Sequence, residues 1–341
     1  MDVSKNEGLQ VARALAALSV AYFHSYVAVR GFPEAAASPI YALSQWGYLG
    51  VDLFFAVSGY VICLVASKPN FSRSSFFIKR AFRLYPMYLA VMCLVALLAA
   101  SGHYHINSIS HFLYSLTLLP QQGAPAYDLS WTLEREIVFY MLAMIIVPVG
   151  GIRGLAVVLA VLSLGGWYFG EPWTFHLVSI RQASFLAGVL VFLTLPGINR
   201  LGFIVPIGIG LAVLALFLSL NSDPLRPIAM MFILAAMVNL RLPWTRWPIR
   251  WFVAAGDASY SIYLLHYIVF YLTTVVAKLL FSRFPALEQN WLCEPWRWGA
   301  IAVACTVSQL TWKLIESPMI ALGNAISAKF AAKPVPIPLP G

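Results

Sequence analysis

The sequence predicts an all-α fold, a polytopic transmembrane helix bundle of about ten spanning helices with both termini cytoplasmic. The first observation is composition: of 341 residues, 61% are hydrophobic and 10% are charged, whereas soluble domains carry about 25% charged residues. The second is a series of long apolar runs, and the third is a bias of lysine and arginine to one side of those runs. Together they exclude most soluble enzymes and disordered scaffolds, because lipid is the solvent around such a chain.

Charge and cysteine usage narrow the class further. The basic residues that give the net charge of +9 lie between the apolar runs. This placement indicates that they set the membrane topology, and no nucleic-acid partner is predicted. The four cysteines form no Cys-x-x-Cys pair, so neither a zinc site nor a disulfide framework is predicted. His103, His105 and His111 cluster without an acidic or cysteine partner, so we interpret them as solvated loop histidines and predict no metal site.

A run of about 20 apolar residues is long enough to span a bilayer. The stretch 109–120 is too short to span and is expected at the interface. We predict a single transmembrane domain over residues 1–320, followed by a cytoplasmic proline-rich tail over 321–341. The ten candidate spans lie near residues 9–29, 44–67, 84–101, 128–148, 154–170, 175–195, 202–220, 224–240, 254–278 and 298–316.

Orientation follows from the basic residues. With a cytoplasmic N-terminus, most of the 22 lysines and arginines fall in cytoplasmic loops, as the positive-inside rule requires. The same assignment needs an even number of spans, so the C-terminus is expected on the cytoplasmic side as well.

The first span carries two ionisable residues, Arg13 and His24, with ten residues between them. At helical periodicity this spacing puts both side chains on one face, about 16 Å apart along the axis. One interpretation is a snorkelling arginine and a histidine hydrogen-bonded within the bundle. The other is a functional pair, because ionisable groups inside spans are costly and often mark sites or pathways.

The second span and the loop after it hold further charges. Asp52 lies inside the span, where an isolated carboxylate must be protonated or paired, and we interpret it as functional. Ser58 and Gly59 are typical of close helix packing. Arg80 and Arg83 share one helical face, where they either set topology or clamp a phosphate.

Polar residues also recur in the fourth and ninth spans. Glu136 and Tyr140 are four residues apart in the fourth span and therefore share a face. Trp131 begins the same span. Tyr263 and His266 share a face of the ninth span. A hydrogen-bond network within the bundle and a functional site both explain these residues.

Taken in order, these segments resemble the membrane acyltransferase 3 family. The resemblance covers about residues 8 to 320 and is weakest over 150–250. The matching residues are Arg13 and His24; the segment GVDLFFAVSGYVI at 50–62; Arg80 and Arg83; Trp131, Glu136, Phe139 and Tyr140 in WTLEREIVFY; the segment SYSIYLLH; and Glu316 with Pro318.

The resemblance implies transfer of an acyl group, usually acetyl, from cytoplasmic acyl-CoA to a hydroxyl of a glycan or a lipid-linked saccharide at the outer face. It implies a multi-pass protein of the bacterial inner membrane. The donor would be acyl-CoA, most simply acetyl-CoA, as a co-substrate, and no metal is implied. The acceptor, the acyl group and the oligomeric state are not identified by the sequence.

On this resemblance we expect His24 to act as general base on the acceptor hydroxyl. Asp52 or Glu136 would orient the imidazole, in the manner of the third member of a catalytic triad. A covalent acyl-histidine intermediate is an alternative route. Binding roles are expected for Arg13, Arg80 and Arg83 toward the donor, and for Trp131, Tyr140, Tyr263 and His266 toward substrate.

The competing function is a proton-coupled transporter of a small polar or lipid-linked substrate. Aspartate, glutamate and histidine inside spans also build proton relays, and this chain has all three. Against it, the sequence shows no internal repeat, and a proton path leaves the basic inner loop unexplained.

Overall fold

A computed structural model describes residues 6–32, 40–68, 71–244, 246–287 and 289–330, and this part of the chain contains helices and no strands. The predicted all-α fold is therefore confirmed. A π-helical turn, Trp312–Glu316, joins the last two helices. In chain order the helices are α1 (Glu7–His24), α2 (Tyr41–Trp46), α3 (Gly50–Ala66), α4 (Arg73–Ala100), α5 (Ile109–Ser115), α6 (Trp131–Phe169), α7 (Gln182–Leu201), α8 (Ile204–Leu220), α9 (Leu225–Asn239), α10 (Ile249–Asp257), α11 (Ser259–Arg283), α12 (Cys293–Thr311) and α13 (Ser317–Ala328).

Within the described residues, five helical segments are long and apolar enough to cross a membrane. Helices α8 and α9 are apolar but shorter. The count of ten spans and the cytoplasmic position of both termini stay predictions. The five segments are Tyr41–Ala66, Arg73–Ala100, Asp128–Phe169, Gln182–Leu201 and Ser259–Arg283.

Two features of the middle of the chain refine the sequence prediction. The predicted spans 128–148 and 154–170 form the two halves of α6, which is interrupted at Gly151. Gly151 has φ 64° and ψ −170°, a conformation that a residue with a side chain adopts at a cost. The short segment over 109–120 contains only the seven-residue helix α5, which confirms that it does not span.

The predicted domain boundary at residue 320 falls inside helix α13, so the bundle extends farther than expected. Helix α13 packs against α4, and a Cβ at Gly323 would lie 2.4 Å from the Cβ of Phe82. The Ser72 hydroxyl also donates to the backbone carbonyl of Phe330 at 2.8 Å. The residues up to 330 therefore belong with the bundle, because a glycine at the crossing allows close packing. The rest of the proposed tail, 331–341, lies outside the described residues.

Helix α1 packs against α2, α3, α9, α10 and α11. Its buried face is rich in alanine, so neighbouring backbones approach closely. A Cβ at Gly256 of α10 would lie 2.0 Å from the carbonyl oxygen of Gln10. This central position brings both Arg13 and His24 inside the bundle.

Helices α3 and α7 cross in direct backbone contact. A Cβ at Gly188 would lie 1.8 Å from the carbonyl oxygen of Ala56, and one at Gly59 would lie 2.1 Å from that of Phe185. Because backbone oxygens cannot move aside as a flexible side chain can, both positions require glycine. The crossing holds the α3 residues that face the site described below.

We expect Gly188→Ala to destabilise the bundle by about 1–3 kcal/mol, the usual cost of an overpacked contact. Gly208→Ala on α8 is the matched control, because a Cβ there meets no atom within 4 Å and alanine favours the helix. Thermal unfolding of the detergent-solubilised variants measures the difference. Equal melting temperatures for the two variants would contradict the crossing.

Candidate active site

A cavity of about 600 Å³ opens among the helices, a volume typical of small-molecule sites. Residues from the beginning of α1 and from α13 line it, so it lies at the end of the bundle where both described chain ends meet. Its wall carries four cations and three carboxylates. They are Arg13, Lys68, Arg80 and Arg83, with Glu136, Asp257 and Glu316.

The three arginines predicted to bind the donor line this one cavity together. Two aromatic rings hold the Arg80 guanidinium, whose Cζ lies 5.2 Å from the ring centre of Tyr140 and 5.5 Å from that of Phe76. Such cation–π contacts orient a guanidinium without neutralising it. The wall gains a fourth cation from Lys68, which sequence reasoning missed because nothing in its loop distinguished it from a topology-setting lysine.

Hydroxyl groups hold the carboxylates in place. Glu136 accepts hydrogen bonds from the Ser58 hydroxyl at 2.7 Å and from the Tyr140 hydroxyl. Glu316, in the π-helical turn, accepts from the Ser261 hydroxyl at 2.8 Å. These bonds satisfy acceptors that the bundle would otherwise bury unpaired. Among the described residues, none of the four cations of the wall forms an ion pair, which leaves their charges to an anionic ligand.

The deep end of the cavity is closed by Phe54 and Tyr263. Their ring centroids are 5.9 Å apart. The Tyr263 hydroxyl accepts from Thr132 Oγ1 at 3.0 Å and donates to the carbonyl of Leu129 at 3.2 Å. Beyond it, the ring centroids of Tyr263 and His266 are 6.0 Å apart. One layer of side chains therefore separates the cavity from the histidines.

His24 and His266 form a hydrogen-bonded pair, with His24 Nδ1 2.9 Å from His266 Nε2. His266 Nδ1 lies 3.0 Å from the carbonyl oxygen of Ile262. Because a carbonyl only accepts, His266 Nδ1 carries the proton and its Nε2 is an acceptor in the neutral ring. His24 Nδ1 must then be the donor, and His24 Nε2 keeps a free lone pair. The hydrogen-bond chain thus assigns the tautomers that a proton-accepting His24 requires.

Among the described residues, His266 bonds to His24, whereas Asp52 and Glu136, which were expected to orient that ring, have other partners. Asp52 instead accepts from the Ser184 hydroxyl at 2.7 Å and pairs with Arg181 at 3.5 Å. His266, expected at the substrate, is fully buried and holds the His24 ring. Helical periodicity places a side chain in depth and on a face of its own helix, but the neighbour opposite that face depends on how the helices pack.

Trp131 also differs from the expectation that it stacks on a sugar. Its ring is half-buried, and the guanidinium carbons of Arg135 and Arg181 lie 5.5 and 5.8 Å from its centre. Arg135 in turn donates to the Ser179 hydroxyl at 2.7 Å. The indole therefore stacks with arginines of the α6–α7 region.

Tyr140 and Tyr263, by contrast, both line the cavity, as substrate-binding residues would.

The fold and the site define a class: a membrane protein whose helices enclose a cationic cavity and a histidine pair. A protein family described as an acyltransferase domain matches residues 6–311. The chain belongs to this membrane acyltransferase 3 family, which confirms the resemblance in its motifs and makes the protein a membrane acyltransferase.

Two curated relatives extend the comparison. Nodulation protein 10 of Rhizobium leguminosarum bv. viciae is 24% identical over 334 residues, which cover 82% of this chain and 84% of the relative. Exopolysaccharide production protein ExoZ of Rhizobium meliloti (strain 1021) is 25% identical over 327 residues, which cover 82% of this chain and 91% of the relative. No solved structure matches the chain.

The pairing of Asp52 with Arg181 predicts a compensation experiment. Arg181→Gln leaves the buried carboxylate without its charge partner, so we expect a lower melting temperature in detergent. The double variant Asp52→Asn/Arg181→Gln removes both charges and should recover most of the loss. A double variant no more stable than Arg181→Gln would contradict the pairing.

Proposed function

We propose that this membrane acyltransferase moves an acyl group, most simply acetyl, from acyl-CoA to a hydroxyl of a glycan or a lipid-linked saccharide. The observation that carries the proposal is the His24–His266 hydrogen bond, which leaves a basic ring nitrogen on His24. A saccharide acceptor is supported by the name of the relative ExoZ, which concerns exopolysaccharide production. Family membership favours group transfer over the transporter alternative.

The cationic cavity is the proposed donor site. Coenzyme A carries several phosphate charges, and arginine forks match phosphate oxygens. Arg13, Arg80 and Arg83 would bind those phosphates. Tyr140 and Glu136 would keep these arginines in position in the cavity wall. The pantetheine arm would then run toward Tyr263 at the deep end.

The helix directions support a donor that enters from the basic side. Arg13 lies near the beginning of α1 and His24 at its end, about 16 Å along the axis. The cavity end of the bundle is also the end that the positive-inside rule assigns to the cytoplasm. Because acyl-CoA is cytoplasmic, the donor would reach the cavity from that side, and the two bacterial relatives support a bacterial inner membrane as the proposed location.

The proposed reaction is a single displacement at the thioester carbonyl. His24 Nε2 removes the proton of the acceptor hydroxyl as its oxygen bonds to the carbonyl carbon. The tetrahedral intermediate collapses, the carbon–sulfur bond breaks, and His24 returns the proton to the departing thiolate. The products are an O-acyl ester and free coenzyme A, and the imidazole is regenerated.

His266 is a positioning residue in this scheme. Its Nε2 accepts from His24 Nδ1, and the Ile262 carbonyl fixes its own orientation. A proton taken up at His24 Nε2 leaves that hydrogen bond intact, and the bond strengthens as the donor becomes cationic. Loss of His266 therefore acts through the orientation and basicity of His24.

We expect His24→Ala to lower acyl transfer by about 10²–10⁴-fold, the usual contribution of a general base, while acetyl-CoA binding is retained. Mass spectrometry of cell-surface glycans measures the acyl increment, and calorimetry on the purified protein measures the binding. His266→Gln, which keeps an acceptor oxygen, should retain more transfer than His266→Leu. Full transfer by His24→Ala would contradict the base, and an acyl group found on His24 would contradict a single displacement.

The donor site predicts a separate effect. Arg80→Gln or Arg83→Gln should weaken acetyl-CoA binding by about tenfold each, because each removes a charge-assisted hydrogen bond to phosphate. Lys79→Gln is the matched control: it removes a charge from the same helix, but Lys79 is exposed and lies outside the cavity wall. Calorimetric titration with acetyl-CoA compares them. Equal weakening in all three variants would indicate a general charge effect and no site.

A further inference from the structure

Four residues lie near one another beyond His24, at the end of the bundle away from the cavity. Tyr26 and Arg30 follow α1, Asp128 precedes α6, and Tyr267 lies on α11. We call Tyr26, Arg30, Asp128 and Tyr267 the far-end cluster. The same three segments also reach the cavity wall. There α1 contributes Arg13, α6 contributes Glu136 and α11 contributes Tyr263.

The cluster borders the catalytic imidazole directly. The ring centroids of His24 and Tyr267 are 5.7 Å apart in an edge-to-face arrangement. The Tyr26 hydroxyl lies beside that of Tyr267, and both Arg30 and Asp128 lie within electrostatic reach of the Tyr267 hydroxyl. Arg30 stacks on the Tyr26 ring, with its Cζ 5.0 Å from the ring centre.

The cluster combines one exposed and one half-buried aromatic ring, Tyr26 and Tyr267, with charges of both signs. Tyr26 is 43% exposed, and Arg30 and Asp128 are exposed as well. Among the described residues, neither Arg30 nor Asp128 takes part in an ion pair. A carboxylate that accepts and a guanidinium that donates, beside the exposed Tyr26 ring and the half-buried Tyr267 ring, suit a neutral polyhydroxyl ligand. A phosphate alone would meet the repulsion of Asp128.

A buried arginine holds the turn that carries Tyr26. Arg297 is 2% exposed, and its Nη1 donates to the Ser25 hydroxyl at 2.9 Å. That hydroxyl donates in turn to the carbonyl of Tyr22 at 2.6 Å, and Glu294 pairs with Arg297 at 2.9 Å. The chain directly after His24 is therefore fixed relative to α12, as a preformed binding surface requires.

We infer that the far-end cluster is the acceptor site, where a saccharide packs against Tyr26 and Tyr267 and presents a hydroxyl to His24. The inference rests on the proposed transfer reaction. It replaces the sugar contact expected at Trp131, whose ring already stacks with arginines. Donor and acceptor would thus approach the histidine pair from opposite ends of the bundle.

The test uses full-length protein in lipid nanodiscs with acetyl-CoA and two acceptor probes. One probe is saponified surface polysaccharide from cells that lack this protein, and the other is a lipid extract of the same cells. Tyr26→Ala and Tyr267→Phe should raise the KM for the acceptor about tenfold, the effect of losing one direct contact, and leave the KM for acetyl-CoA unchanged. The probe that is acetylated identifies the source of the saccharide.

Tyr41→Ala is the matched control, because Tyr41 is 70% exposed on α2 and outside the far-end cluster. An unchanged acceptor KM in both cluster variants would overturn the inference, and Tyr26 would then be only an interface anchor. Direct titration of the polysaccharide separates this failure from that of the proposed function. Saccharide binding that Tyr26→Ala weakens supports the acceptor site even if wild-type protein transfers no acetyl group.

Discussion

A polar side chain buried between apolar helices has to find its partner within the protein, because lipid offers none. This constraint organises the interior of the bundle. It pairs His24 with His266, holds Glu136 with the hydroxyls of Ser58 and Tyr140, and places Ser184 against Asp52. Three of these bonds, His24–His266, Ser58–Glu136 and Ser184–Asp52, join helices that are distant in sequence, so the hydrogen bonds that build the site also stabilise the tertiary fold.

Helix α1 connects the two halves of the proposed chemistry. Small buried residues let it lie among α3, α9, α10 and α11, and one face of it carries Arg13 at the cavity and His24 at its far end. The separation of about 16 Å along the axis allows a charged donor to bind near one end of the bundle while its reactive group works deeper. Phe54 and Tyr263 lie between these regions, so the arm of the proposed donor would reach His24 only if those two rings moved aside.

Part of the candidate site could be predicted from the sequence. Arg13, Arg80, Arg83, Glu136, Tyr140 and Tyr263 do line one cavity, and each belongs to a short motif whose spacing defines a helical face. Lys68 carried no such signal. Trp131 and Asp52 were assigned to the reaction because an indole and a carboxylate suit it chemically, yet Arg135 and Arg181 stack on the Trp131 ring and Arg181 also pairs with Asp52.

The sequence by itself determined that the protein is helical and membrane-embedded, which motifs it carries, and that Arg13 and His24 share a face. Composition and periodicity are local properties, so they are readable without a fold. Only the tertiary structure decided that His24 bonds to His266, 242 residues along the chain, and that Asp52 turns toward Ser184. The rotation and tilt of each helix depend on packing against its neighbours, and no periodicity within one segment records them.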